Sequence, residues 1–453
     1  MPTPRHRSTT AIPLRHEDAR LTLFNGNGSR ICGLIATGLL LTGSASAAAG
    51  QDAVAGWTTD LHVVRWALHR IHPHAFHATS SVEFDLRLSA LRRDLPKLSR
   101  SETLVRLAQV IATIRECHTG FALSTTPPVD FHALPIKVYL YADGPFIQAA
   151  GPAYRDLVGA RLIRIGEEPS SRAVPQLLST VMASNLWSSA GGLSYRFRGE
   201  VLQALGISPE SRIVRIGVQR DDATISRWLP VVPRALDLGD GIGAPPGTNW
   251  IDARASAFVP LYLQHPAQRF LLVARPPYIY ARINNILNSP TETLAGFWQR
   301  LAAEYDKKPR PLILDLRQNG GGDNTLLSPI LLGIDRRPRF KRAHNLYVII
   351  GRATQSAAEN LVARLQRVAD VTTVGEPSGE TPSQYGDPIA VRLPYSKIMF
   401  HVATRYYHEG GAPPNLTVPT LSAALTSREY RDGVDPALRA VERDIARHRK
   451  DFS

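Results

Sequence analysis

Two short stretches of this 453-residue chain carry residue types that could do chemistry. The first is NLYVIIGRATQSAAENLVARLQRV, from Asn345 to Val368. Its β-branched run Leu346–Ile350 is too short for an independent helix and reads as a buried parallel strand. Apolar residues at Ala358, Leu361, Val362, Leu365 and Val368 then follow helical spacing. Ser356 therefore sits where a strand hands over to a helix N-terminus, beside unpaired N–H groups and the positive end of the helix dipole. Such donors can stabilise an oxyanion next to a serine nucleophile. The same position also suits a plain N-cap serine, and the stretch alone leaves both readings open.

The second stretch is LDLRQNGGGD, Leu314 to Asp323. Three glycines directly after a buried strand let the backbone come close to a ligand and turn N–H groups toward an anion. The lysine and Ser/Thr of a Walker loop are missing. A glycine-rich strand end followed by a serine at the next strand end places both at the carboxyl edge of one sheet. Asp315 and Arg317 share a side of their strand and pair with each other or with the loop.

Several rival chemistries find less support. Cys117 beside His118 invites a thiol–imidazole reading, but neighbouring side chains point apart. His62, His69, His72, His74 and His77 cluster in sequence without an acidic or cysteine partner completing a metal-ligand set. No metal and no cofactor is expected.

The elements that must position these residues can be read along the chain. Trp57, Leu61, Val64, Leu68 and Ile71 form one helical stripe, and Phe84, Leu88, Leu91 and Leu95 a second. A third runs through Leu104, Leu107, Ala108, Ile111 and Ile114. Ser80–Glu83 and Ser99–Glu102 match the capping box that opens a helix. This bundle delivers His118 at a helix end. Short strands follow at Ile136–Tyr141, Phe146–Ala149, Ala160–Ile165 and Ile213–Val218, with a helix at Val174–Met182. Beyond a Gly/Pro-rich stretch, strands at Tyr278–Ile283 and Leu312–Leu316 flank a helix over Thr293–Tyr305, a βαβ pattern.

Four stretches in order, RECHTGF, LILDLRQNGGGDNTLLSPIL, YVIIGRATQSAAE and VTTVGEPSGETPSQYGD, resemble the S41 peptidases, the C-terminal processing and tricorn-core-like serine proteases. The resemblance spans about Trp57 to Val441. It implies Ser356 as nucleophile, His118 as general base, and the amides of Gly321 and Ala357 as an oxyanion hole. Asn284 and Tyr280 are the substrate-side candidates, although a tyrosine on that strand packs as readily in the core. The Ser–Lys branch carries a lysine after the V-G-E motif, where Glu380 follows Gly379 here. The Ser–His branch is therefore the nearer one, and Glu409 in HEGGAPPNLTVP is the expected third member.

The fold expected is a multidomain α/β (α+β) protein. It comprises a helical bundle over 50–123, a PDZ-like β-rich module over 130–235, a linker over 236–270 and an open α/β core with a mostly parallel sheet over 271–445. The function expected is an exported serine endopeptidase acting on extended or C-terminal segments of proteins. The alternative is a non-catalytic protein on the same scaffold that binds a peptide or an apolar ligand.

Composition agrees with an ordinary globular protein. Basic residues Arg5 to Arg30, an apolar run Ile31–Thr42 and the small residues Ser44–Ala47 read as a signal peptide over 1–47. Removing its five arginines and two acids leaves +11 of the formal +14. No dense basic run interleaves with aromatics, so nucleic acid is not an expected partner. No stable membrane span is expected once the signal is gone, and the location is the periplasm or the exterior. Cys32 would leave with the signal, so Cys117 has no disulfide partner.

Overall fold

The computed structural model describes residues 41–233, 250–410 and 416–448. Most of the expected signal segment, and the Gly/Pro-rich stretch from 236 to 248, lie outside the described residues. The chain separates into a unit ending at Ala49 and a second running from Gly50 onward, which holds both chemically suggestive stretches. No helix among the described residues is long and apolar enough to cross a membrane.

The helices form where their stripes predict. A helix Leu41–Arg70 buries Trp57, Leu61, Val64 and Leu68. Ser81–Asp94 is capped by Ser80, whose Oγ accepts the Glu83 N–H at 3.1 Å. Arg100–Ala112 opens with the complete Ser99–Glu102 capping box. Such a cap contributes about 1 kcal/mol by satisfying otherwise orphaned N–H groups.

These helices do not stand apart from the β-rich module. Leu104, Leu107 and Ile111 share one hydrophobic core with Ile136, Val138, Ile147, Leu162 and Val214. The module is an antiparallel sheet in which Ile136–Tyr141, Gly144–Ala150, Arg161–Ile165, Ile213–Arg220 and Ala223–Pro230 lie in that spatial order. Ile251–Asp252, in the expected linker, pairs with Gly144–Ala150.

The C-terminal half is a six-stranded sheet. Its spatial order is Leu421–Ser422, Val371–Gly375, Leu346–Ile350, Leu312–Asp315, Tyr278–Ile283 and Phe270–Arg275. Neighbours are parallel except for the last pair, which is a hairpin. Both faces are covered, so the strands read as continuous apolar runs instead of alternating. One face packs Phe297, Leu301, Ile330, Leu361 and Leu365. The other packs Tyr278, Tyr280 and Tyr347 under the C-terminal helix Pro436–Arg447, through Leu438, Val441 and Ile445. The two chemically suggestive loops leave adjacent parallel strands at their carboxyl ends, where a doubly covered sheet opens a crevice.

Candidate active site

The strand Leu346–Ile350 is fully buried and hydrogen-bonded on both sides. Its exit is pinned by Thr354, whose Oγ1 accepts the Gly351 N–H at 3.0 Å and donates to the Leu316 carbonyl at 2.9 Å. Ser356 then adopts φ 53° and ψ −131°, and the helix Ala357–Val368 begins at the next residue. A non-glycine residue in that region costs on the order of 1–3 kcal/mol and persists only where its surroundings enforce it. The Ser356 side chain makes no capping hydrogen bond. The position is an N-cap, but the hydroxyl does not perform that task.

Gly321 packs directly against this turn at φ +102°. A Cβ there would lie 2.5 Å from Ser356 Cβ and 3.0 Å from Ala357 N, so only glycine fits. The Ala357 N–H occupies the first helical position, where no acceptor exists within the helix. The Gly321 N–H, by contrast, donates to Asn319 Oδ1 at 2.9 Å. Asn319 is fully buried and also donates from Nδ2 to the Ile283 carbonyl at 2.9 Å. Of the two expected oxyanion donors, Gly321 is thus engaged by an internal acceptor in this structure.

His118 reaches the site on a segment stitched to the far end of the chain. Gly120 exchanges two backbone hydrogen bonds of 2.9 Å with His401, and Thr119 Oγ1 accepts the Ala403 N–H at 3.0 Å. The His118 Nδ1 atom lies 3.3 Å from Glu116 Oε1 and 3.3 Å from Glu380 Oε1. The other oxygen of Glu380 accepts the Ser356 N–H at 2.7 Å. One buried carboxylate therefore faces the imidazole and holds the backbone of the serine. No hydrogen bond joins Ser356 Oγ to His118 among the described residues.

The electrostatics of this cluster follow from burial and neighbours. Burial disfavours a charged imidazole, but Glu380 and Glu116 outweigh it and push the His118 pKa up to about 10. Burial would raise Glu116, yet the neighbouring His118 and His72 bring it down to about 2. Glu380 is raised by burial, against the pull of His118. Cys117 is pushed well up by burial, then by Glu380, while its Sγ sits 3.2 Å from Ser184 Oγ. A thiol so placed is not a nucleophile.

Glu409 stands elsewhere. Its carboxylate is 4% exposed and is held by Arg364 and Arg367, three residues apart on the helix that follows Ser356. This corrects the expected third member: two guanidiniums on one helix face claim that carboxylate, and Glu380 takes the place beside the imidazole. Tyr280 is corrected as well. It is fully buried on the far face of the sheet, donating from its hydroxyl to Asp315 Oδ2 at 2.7 Å. Asp315 also pairs with Arg317, which in turn binds Asp435. Asn284 lies just beyond Ile283 with its Oδ1 buried and without a hydrogen-bond partner. Its hydrogen bonds do not connect it to Ser356 or His118.

Glu116 and Glu380 escaped the sequence reading as site residues. The signal available was Glu380 itself, which stands where the Ser–Lys branch carries its lysine.

Open space flanks the cluster. A cavity of about 500 Å³ is lined by His118 with Phe121, Val129, Met182, Ile398 and Met399. Another, of about 270 Å³, lies against Ala353 and Gln355 and is lined by Tyr139, Met182, Tyr195 and Arg352. Met182 borders both. Apolar walls with a few convergent polar groups suit side chains of an extended ligand.

No family model matches the sequence, and no curated protein matches it significantly. Solved structures do match. Mature CPAF is 12% identical, with 86% of this chain and 96% of that chain covered at a TM-score of 0.58. Mature CPAF complexed with lactacystin covers 88% of this chain and 99% of its own at 10% identity and a TM-score of 0.57. The CPAF S499A mutant gives 12% identity, 88% and 98% coverage, and 0.57. The fold of this chain is that of the S41-type proteases to which these structures belong.

Proposed function

We propose that this chain is a serine peptidase of the S41 type, exported from the cell, that cleaves extended or C-terminal segments of proteins through an acyl-enzyme on Ser356. The observation that carries the reading is Glu380, whose carboxylate links the Ser356 backbone to the His118 ring in a buried site.

In this reading Ser356 Oγ attacks the carbonyl carbon of the scissile bond, and His118 takes the hydroxyl proton at Nε2. The imidazolium so formed is held between Glu380 and Glu116 on its Nδ1 side. The tetrahedral oxyanion is received by the Ala357 N–H, joined by the Gly321 N–H once Asn319 releases it. His118 then returns the proton to the leaving amine, which departs and leaves the acyl group on Ser356. Water repeats the sequence, with His118 as base, and frees the acid.

The reading requires the base to be neutral before attack. With its pKa near 10, His118 is largely charged at neutral pH, so substrate binding or alkaline conditions must supply the neutral form. The strained turn at Ser356 agrees with a nucleophile presented above a sheet edge.

The test is covalent labelling with a fluorophosphonate, read by mass spectrometry of the modified peptide, alongside hydrolysis of an unfolded protein. Adduct on Ser356, with turnover lost in both Ser356→Ala and His118→Ala, is the expected result. Because the residues act as a unit, each substitution lowers turnover by several orders of magnitude. Turnover that persists in Ser356→Ala would remove the nucleophile from the proposal. Saturable peptide binding without labelling or turnover would favour a binding protein on the same scaffold.

A further inference from the structure

Two atoms in the buried cluster meet without the hydrogen bond that such burial ordinarily demands. His118 Nδ1 and Glu380 Oε1, 3.3 Å apart, are both buried and unpartnered. Glu116 Oε2 is also unpartnered but lies on the His72 side of its carboxylate, while Glu116 Oε1, the oxygen near Nδ1, accepts the His118 N–H. The Glu380 side chain is 1% exposed and that of Glu116 is 3% exposed. Buried polar atoms are normally satisfied, so a pair of orphans facing each other beside a third carboxylate oxygen points to a missing occupant.

The spacing identifies its class. Nδ1 stands 3.3 Å from one oxygen of each glutamate, which is long for a charged hydrogen bond. It equals the edge of a tetrahedron around zinc, about 3.3 Å for metal–ligand bonds of roughly 2.0–2.1 Å. One donor atom from each of the three residues falls within 4.8 Å of the others. An imidazole and two carboxylates form a mixed nitrogen–oxygen set that suits a borderline first-row divalent ion.

The surroundings supply the supporting contact such sites use. His72 is fully buried, its Nδ1 accepts the His74 N–H at 3.1 Å, and its Nε2 therefore carries the proton, 3.7 Å from Glu116 Oε2. A histidine N–H aimed at a ligating carboxylate is a common outer-shell arrangement. A cavity of about 470 Å³, bordered by Glu116, Glu380, Tyr385 and Gln384, leads to the cluster. A fourth position can thus be taken by water.

We propose that Glu116, His118 and Glu380 form a binding site for a zinc-class divalent cation, and that occupancy switches the peptidase off. This rests on the functional reading above only for its consequence, the inhibition. A cation on Nδ1 fixes the remaining ring proton on Nε2, and that nitrogen then has no lone pair to accept the Ser356 proton. The metal holds the base in the wrong tautomer.

A second cluster serves as an internal control. His344, Asp444 and His448 also lie close enough for a metal. There His344 Nδ1 and the Tyr347 hydroxyl already bond Asp444 Oδ2, each at 2.7 Å, and the two histidine rings stack at 3.6 Å. Those groups are satisfied among themselves.

The experiment titrates Co²⁺, followed by its visible absorbance, and then Zn²⁺ by calorimetry and Co²⁺ displacement, into the Ser356→Ala chain. Using that variant keeps binding separate from catalysis. One equivalent bound, retained in Asp444→Asn and weakened at least tenfold in both Glu116→Gln and Glu380→Gln, is expected. These isosteric changes are checked for folding by circular dichroism, and His118→Gln provides an independent variant with the same expected loss. Binding weaker than about 100 μM, or binding that all three substitutions leave unchanged, overturns the site. In the catalytic chain, zinc then lowers turnover and a chelator restores it. Zinc bound at this site with turnover unaffected would overturn the switch alone, and absent turnover with intact zinc binding would count against the peptidase reading alone.

Discussion

Glu380 reaches two residues that lie more than two hundred positions apart in the chain: its Oε2 accepts the Ser356 N–H at 2.7 Å while its Oε1 stands 3.3 Å from His118 Nδ1. The carboxylate is thus both a tether for the strained turn and a charge beside the ring. Replacing it by glutamine keeps the shape and removes the charge. Glu380→Gln is expected to lower kcat/KM by about 100-fold or more, the scale on which positioned acid–base partners act. Glu409→Gln makes the contrast. It disturbs only the contacts to Arg364 and Arg367, so kcat/KM per folded molecule stays within about threefold while stability falls by roughly 1–3 kcal/mol. Steady-state kinetics and denaturant melts of both variants decide the point. The reverse pattern would restore Glu409 to the site.

Gly321 leaves no room for a methyl group. Gly321→Ala would place a carbon 2.5 Å from Ser356 Cβ at a φ that side chains avoid. Turnover should fall by at least about 100-fold, the scale of a lost oxyanion donor. Fluorophosphonate labelling should slow in parallel. Wild-type labelling in this variant would show that the glycine loop does not set the position of the serine.

The two carboxylates around His118 set the pH at which it can act. With the ring pKa near 10, kcat/KM should climb from neutral pH toward that value. Glu116→Gln takes away one of the charges that raise it, so the rising limb should move to lower pH. A profile unchanged in Glu116→Gln would mean that His118 is not the group titrating.

Glu359 tests stability apart from chemistry. It is fully buried one turn beyond Ser356, bonded by the Thr417 hydroxyl, and burial pushes its pKa up to about 8. The folded state therefore holds a proton that the unfolded chain, near 4.5, has given up. Stability that is fully present below about 4.5 accordingly declines as pH rises toward 8, by up to about 1.4 kcal/mol per pH step of one within that window. Glu359→Gln removes this dependence. Its melting temperature relative to wild type should rise between pH 5 and pH 8, and a constant difference would show that Glu359 is ionised in the fold.

Much of the scaffold could be read from the chain because the physics is local. Leu346–Ile350 and Tyr278–Ile283 form at the expected bounds, since a β-branched run with covered faces has few alternatives. The Ser99–Glu102 box depends only on residues three apart. Tyr280 was harder: a strand buried on both sides carries no polar alternation to tell its faces apart. The pairing of His118 with Glu380 has no local signature at all. It depends on the loop after Val374 folding over the serine turn, through a Gly379 so tight that a Cβ would lie 2.1 Å from the Arg352 carbonyl. Glu409 misled because its partners, Arg364 and Arg367, look like ordinary surface charges in a helix.

The stitch between Gly120 and His401 has a temporal meaning. A chain made from its N-terminus exposes the base segment early, yet the residues that fasten it, His401 and Ala403, are added some 280 residues later. Ser356 and Glu380 are also late. A nascent or truncated chain ending before that strand lacks the clasp on its base segment, so the candidate site stays unassembled until that strand has been made. The topology itself delays assembly of the candidate site until these two distant segments of the chain can meet.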